Sequence, residues 1–260
     1  MQHLLTGAGE FFGSLTPGLM AATAAAIFAA AVFRGFTGFG FALAAVPLLG
    51  LVMSPARAVP VAAGLQLLGG LLDFRSASKT CHWPSLRWLI IGAVVGSPMG
   101  TLILVAIPAP ISRLVISAIT LFAVFVLGRG FKLAAVPTRT TTSVTGFLAG
   151  LFNGLAAMPG PPAVAYYMST PLSPDAVRAS LMVFFLATSV SAVLAAATIG
   201  LIDSQVTGLL LLCLPVMWVG TRIGERAFTR GTQAMHRHVS IVSLGLIAIG
   251  SAIKGLSELA

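Results

Sequence analysis

Ten apolar runs, each bounded by a few polar or chain-breaking residues, leave this chain little choice of solvent. They fall at 17–34, 41–53, 57–73, 88–107, 110–128, 140–153, 160–172, 176–201, 205–221 and 239–256. A helix rises about 1.5 Å per residue, so crossing a hydrocarbon layer of about 30 Å takes about 20 residues. Most of the runs meet that length; 41–53, 140–153 and 160–172 fall short. Charged residues make up 8% of the 260 and apolar types 57%, where a soluble domain carries about 25% charged residues. Too few charges remain to cover a water-facing surface of this size, so most of the surface meets lipid. The expected fold class is all-α, a polytopic transmembrane helix bundle.

The short runs adjoin the strongest breakers. The first pair of runs meets at Arg34-Gly-Phe-Thr-Gly-Phe-Gly40, the second at Asn153-Gly154 followed by Met158-Pro-Gly-Pro-Pro162. Glycine frees the backbone and proline removes a donor. The 140–172 segment is too short for two crossings and a turn, which predicts a re-entrant pair of half-helices. The two halves also match. Met53-Ser-Pro-Ala-Arg-Ala-Val59 corresponds to Leu172-Ser-Pro-Asp-Ala-Val-Arg178, and Phe33-Arg34-Gly35 to Phe152-Asn153-Gly154, both at an offset of 119; Gly100-Thr101 matches Gly220-Thr221 at 120. The predicted organisation is a short N-terminal segment at 1–16, a first transmembrane repeat at 17–128, a cytoplasmic linker at 129–139 and a second repeat at 140–257. The first residues lack the basic start and small-residue cleavage site of a signal peptide.

Charge gives the orientation. The gaps 73–88, 129–139 and 222–237 hold 10 of the 15 basic residues, and the positive-inside rule places all three in the cytoplasm. The gap equivalent to 73–88 carries only Asp203, and the one equivalent to 222–237 carries only Arg113. Equivalent gaps on opposite faces predict two inverted-topology repeats, each a broken, re-entrant helix pair plus three full helices. Both termini then lie outside. Such repeats bring their breaks together near the bilayer midplane, where transported solutes bind.

The candidate binding residues are therefore those at the breaks: Arg34, Gly35, Thr37, Gly38 and Gly40 in the first, Asn153, Gly154, Pro159 and Gly160 in the second, with Gln66 in mid-run at 57–73. A guanidinium within the bilayer demands a partner. No carboxylate lies in its own run or the equivalent one, so a transported oxyanion is the expected partner, matched by the planar fork of Arg34. The glycines also permit close helix packing, and Gln66 serves equally as an interhelical hydrogen-bonding group. All six acids lie at or near run ends, so no intramembrane proton relay is visible; a negative-inside potential alone drives an anion outward by about 2.3 kcal/mol per charge per 100 mV.

Other classes lack their chemistry. The net charge of +9 sits in short gaps, as in loops facing anionic lipid, rather than on a nucleic-acid face. The four histidines lie outside the apolar runs, and Cys81 and Cys213 have no CxxC partner. No HExxH cluster, serine–histidine pair within the bilayer or paired thiols support a membrane enzyme, and no metal or cofactor is expected. A carrier of a cation or neutral solute, or a membrane subunit of a larger complex, remains the alternative; a cation site wants a deep Asp or Glu.

The stretch FRGFTGFGFALAAVPLL at 33–49, its weaker echo at 152–168 and the paired Gly-Thr segments resemble the TauE/SafE sulfite exporter family, also called the toluene-sulfonate uptake permeases. The likeness spans about residues 17–257. It implies a multi-pass protein of the bacterial inner membrane that exports small anions such as sulfite, sulfoacetate or other organosulfonates. Its partners are then the anion and the lipid bilayer, with self-association left open. The Gly-rich motif carries over to Gly35, Gly38 and Gly40. The second half departs from it, with Ala157 and Pro159 opposite Gly38 and Gly40, which makes the two breaks unequal.

Overall fold

The computed structural model describes residues 16–37, 40–129, 138–228 and 233–259. Among these it forms ten helices and no strand. The first five are α1 (Pro17–Thr37), α2 (Phe41–Gly50), α3 (Pro55–Ala77), α4 (Trp83–Ala106) and α5 (Ala109–Arg129). The second five are α6 (Arg139–Ala156), α7 (Gly160–Tyr167), α8 (Pro174–Thr198), α9 (Ser204–Phe228) and α10 (Gln233–Ser257). Six of them, α1, α3, α4, α5, α8 and α9, are long and apolar enough to cross a membrane. Each set of five has its short helix in second place, where the sequence has its breakers.

The broken pairs are one long helix plus one short one, where two half-helices were expected. α1 has 21 residues and α2 has 10; α6 has 18 and α7 has 8. At 1.5 Å per residue α1 is about 31 Å long and α2 about 15 Å. The glycine at 35 does not end α1, because its missing side chain is used for packing: a Cβ there would overlap the Thr221 carbonyl of α9. The chain turns only after Thr37, and Gly40 starts α2 in the left-handed region at φ 88°. In the second half α6 ends on Ala157 at φ 54°, a residue type that pays for this conformation sterically where glycine does not. The 160–172 run stops being helical at Tyr167, where the Ser169 and Thr170 hydroxyls bond back to the Ala165 and Tyr167 carbonyls ahead of Pro171.

Glycine stripes set the closest packing. Gly92, Gly96 and Gly100 on α4 face Gly146, Gly150 and Gly154 on α6, and a Cβ on any of the six would overlap backbone of the other helix. Each stripe repeats every four residues, which keeps it on one helix face. The register rises together on both helices, so α4 and α6 run parallel. Gly35 and Gly220 bring α1 and α9 together in the same parallel sense. The other extensive pairings are α3 with α8 and α5 with α10. Exchanging the first five helices for the last five turns the α4–α6 pair into α9–α1 and leaves the other two pairs unchanged.

The short helices sit inside this frame. Nine of the ten residues of α2 and seven of the eight of α7 are buried, whereas Leu72, Leu194, Leu211, Leu246 and Ile253 on long helices are more than half exposed. The long helices face lipid and the non-spanning ones face protein, as unsatisfied backbone ends require. The C-terminal end of α2 is fastened by Arg113, which the sequence placed in a gap but which is buried within α5. Its Nε donates to the Gly50 carbonyl at 3.0 Å and its Nη1 to Glu258. Lys254 Nζ donates to the Leu51 carbonyl.

Packing of this closeness is intolerant of a single methyl. Gly150→Ala, whose Cβ would overlap Ala93 of α4, is expected to destabilise the protein by about 1–3 kcal/mol, the usual range for overpacking. Gly245→Ala on α10, which has no atom within 4 Å of the added Cβ, is expected to leave the thermal midpoint of the detergent-solubilised protein unchanged or raised. Thermal unfolding of both variants beside the wild type checks this.

Candidate functional site

The last turn of α1 delivers Arg34 to the face of α3. Its guanidinium lies against Gly69, where a Cβ would overlap Nη1, and Nη2 donates to Asp73 Oδ2 at 2.8 Å. This corrects the expectation that no carboxylate serves Arg34. Asp73 lies 39 residues further on, in the last two turns of α3, and reads from sequence as a segment-end acid. α3 lies along α2, and its packing returns that carboxylate to the end of α1.

Arg34, Gly40, Phe41, Gln66, Asp73 and Phe185 line a cavity of about 30 Å³, with Met182 and Leu186 of α8 completing an apolar wall. Its room is that of one or two waters. Gly40 and Phe41 put the start of α2 on the cavity, and no side chain caps that helix end. The positive end of its dipole thus lies at the cavity wall.

Gln66 is at the middle of α3, and its Nε2 donates to Ser189 Oγ at 3.0 Å. Ser189 is near the middle of α8. The residue before it, Thr188, offers its carbonyl to Asn153 Nδ2 at 2.7 Å, and Ser97 Oγ lies 3.4 Å from the same nitrogen. Asn153 is fully buried, and its Oδ1 has no hydrogen-bond partner. One turn earlier on α8, Phe185 lies against Gly160, where a Cβ would be 3.7 Å from the ring. The central turn of α8, residues 185–189, therefore touches parts of both breaks.

The structure gathers three of the expected residues, Arg34, Gly40 and Gln66, around one cavity. Asn153 and Gly160 reach the same turn of α8 by other contacts. Gly35 and Gly154 lie in the α1–α9 and α6–α4 packing. Pro159 caps the start of α7 with a left-over αR geometry and no side-chain bond; with Pro161 and Pro162 next, that helix start lacks donors that α2 retains. Thr37 ends α1, and Gly38 lies outside the described residues. Asp73 and Phe185 carry no local signal of their role, because both arrive through packing between distant helices.

A bundle of membrane-length helices, broken beside an ion-paired polar cavity between α1, α2, α3 and α8, has the form of a multi-pass membrane transporter. The family model described as Sulfite exporter TauE/SafE matches residues 23–251. The chain belongs to that family, and is accordingly a membrane transporter and not an enzyme. It is similar to a protein named probable sulfite/organosulfonate exporter TauE from Cupriavidus necator, at 25% identity over 229 residues that cover 85% of this chain and 88% of that one. No solved structure matches the chain.

The Gln66–Ser189 bond ties α3 to α8 in a site shielded from water. Gln66→Leu leaves the buried Ser189 hydroxyl without this donor and is expected to cost about 1–3 kcal/mol. Gln66→Leu combined with Ser189→Ala is expected to recover part of the loss. A double-mutant cycle of thermal stabilities measures the coupling.

Proposed function

We propose that this chain exports small oxyanions, sulfite, sulfoacetate or other organosulfonates, by alternating access around the Arg34 cavity. The observation that carries the reading is the Arg34 guanidinium, 17% exposed, set beside the uncapped start of α2 and against the second half of α3. A planar fork of donors suits a sulfonate or sulfite, which offers two or three oxygens. A helix start adds backbone donors and favourable dipole to the same anion. The name of the Cupriavidus necator relative agrees with this substrate class.

Two further features support alternating access. First, the cavity of about 30 Å³ is too small for an anion with three oxygens. Substrate must therefore part α8, through Phe185, from α2 and α3, as expected where one end state is closed. Second, the helix directions favour inverted halves. α6 runs parallel to α4, which begins at the basic gap 73–88; α1 runs parallel to α9, which ends at the basic gap 222–237. If basic gaps face the cytoplasm, the two broken pairs enter from opposite sides, the arrangement of inverted-repeat transporters.

Asp73 on the cavity wall gives the cation-carrier reading its one specific observation. Arg34 neutralises that carboxylate, which weakens it as a cation site, and the two readings separate in one experiment. Thermal shift of the purified protein is measured with sulfite, sulfoacetate and methanesulfonate, and with a panel of alkali and divalent cations. At least one oxyanion is expected to stabilise the wild type. Arg34→Ala is expected to lose the effect, with affinity about 10–100-fold weaker, the worth of one charged hydrogen-bonding group. Arg34→Lys is expected to lie between, keeping charge but not the fork. Equal anion stabilisation of wild type and Arg34→Ala, or stabilisation by cations alone, overturns the assignment.

A further inference from the structure

We propose that Asp73 is the coupling residue of this transporter: it and the carried anion occupy the Arg34 guanidinium in turn, and Asp73 takes up one proton when the anion displaces it. The proposal rests on the Arg34 cavity being the anion site.

Geometry sets the competition. Asp73 Oδ2 holds Arg34 Nη2 at 2.8 Å, and both side chains line the same small cavity. An oxyanion on that edge of the fork takes the place of the carboxylate. Gly69 leaves the guanidinium no room to move back, since it already lies against the α3 backbone.

Charge sets the proton. The Arg34–Asp73 pair is neutral as it stands. Gly40, Phe41, Gln66, Gly70, Met182, Phe185 and Leu186 complete the cavity wall and none carries charge. An arriving monovalent anion would leave one net negative charge among apolar side chains, which is costly away from water. Asp73 is the one group on that wall able to cancel it. The other charges on the packed elements are exposed: Arg75 on α3, Asp175 and Arg178 on α8, and Arg222, Glu225 and Arg226 on α9, where Arg222 and Glu225 lie 3.6 Å apart. The helix facing Asp73 across the cavity, α8, contributes only Met182, Phe185 and Leu186. Asp73 is the more open member of the pair, its side chain 38% exposed against 17% for Arg34.

The step balances simply. Arg34⁺·Asp73⁻ plus A⁻ plus H⁺ gives Arg34⁺·A⁻ plus protonated Asp73. An O–H bond forms on the carboxylate, the proton comes from water, nothing is oxidised or reduced, and release reverses it. The loaded site is as neutral as the empty one. For a monovalent sulfonate, transport then follows the anion and proton gradients together, in place of the potential-driven movement that the sequence suggested. Because the anion-bound state holds one more proton, affinity rises as pH falls. Kd weakens about tenfold per pH unit over the range in which Asp73 is ionised in the anion-free protein and protonated in the anion-bound one.

The test is methanesulfonate binding to the purified full-length chain, from mildly acidic to mildly alkaline pH, by calorimetry, with proton uptake read by an indicator in weak buffer. Methanesulfonate does not itself titrate in this range, whereas sulfite does. The wild type is expected to take up one proton per anion and to show the tenfold slope. Asp73→Asn, which keeps the shape but cannot ionise, is expected to bind with pH-independent affinity, to take up no proton, and to bind more tightly than wild type at alkaline pH. A wild type that binds without proton uptake overturns the proposal without recourse to any variant, and so does Asp73→Asn retaining the wild-type slope. Arg34→Ala separates the two levels: if it binds as the wild type does, or if the wild type binds no methanesulfonate at any pH, the anion site itself falls and the coupling with it.

Discussion

Open backbone groups in hydrocarbon cost several kcal/mol each, and this chain opens its backbone twice against buried short helices, at the starts of α2 and α7. The rest of the architecture answers that constraint. Both short helices are almost wholly buried, so the breaks meet protein rather than lipid. Wrapping them takes long helices that pack more closely than side chains normally allow, and the glycine stripes of α4 and α6 supply that closeness. Carbonyls and Cα–H groups then meet directly across the pair, a contact worth little singly and more over three turns. The polar cavity is a consequence: where a helix is interrupted, donors and a charged side chain can sit at a depth that an unbroken helix would fill with leucine.

The two short helices are anchored at their far ends by different chemistry. The carbonyls at the end of α2 receive two cations, Arg113 and Lys254, with Glu258 balancing the first, and cations suit the negative end of a helix dipole. α7 ends on two tyrosines: Tyr166 meets the Thr142 hydroxyl at 3.0 Å and Tyr167 meets the Ser85 hydroxyl at 3.3 Å. Neutral hydroxyl pairs are weaker than charge-assisted bonds. The α2 end is therefore the stiffer of the two fastenings.

Much of this was legible in the sequence, because the signals were local. The apolar runs gave ten helices with boundaries close to those observed, and Gly40 marked the start of α2 by the conformation that only glycine takes readily. The contributions that escaped were those of packing. Asp73 looked like a segment-end acid, since nothing nearby in sequence says that α3 will fold back along the end of α1. Arg113 looked like a loop charge, since its partners lie about 60 and 145 residues away. The four-residue glycine spacings at 92–100 and 146–154 were readable in principle, but in a chain with 28 glycines spacing stands out only once a partner helix is known. Arg34 was correctly singled out as needing a partner; its protein partner was not.

Arg34 and Asn153 hold matching places in the two halves, 119 residues apart, yet they have become chemically unlike. Arg34 faces a cavity, pairs with a carboxylate and stands by a helix start with its donors free of any side-chain cap. Asn153 is sealed between α4 and α8, spends its amide nitrogen on Thr188 and Ser97, and precedes a helix start whose prolines have lost their N–H groups. Position 73 carries an acid in the first half and its counterpart, Ala192, carries none. Of the two matching positions, therefore, only Arg34 brings a charge to its break. The asymmetry is a matter of chemistry and not of helix order: both breaks keep a buried short helix, and only the first sets a cation against a carboxylate beside it.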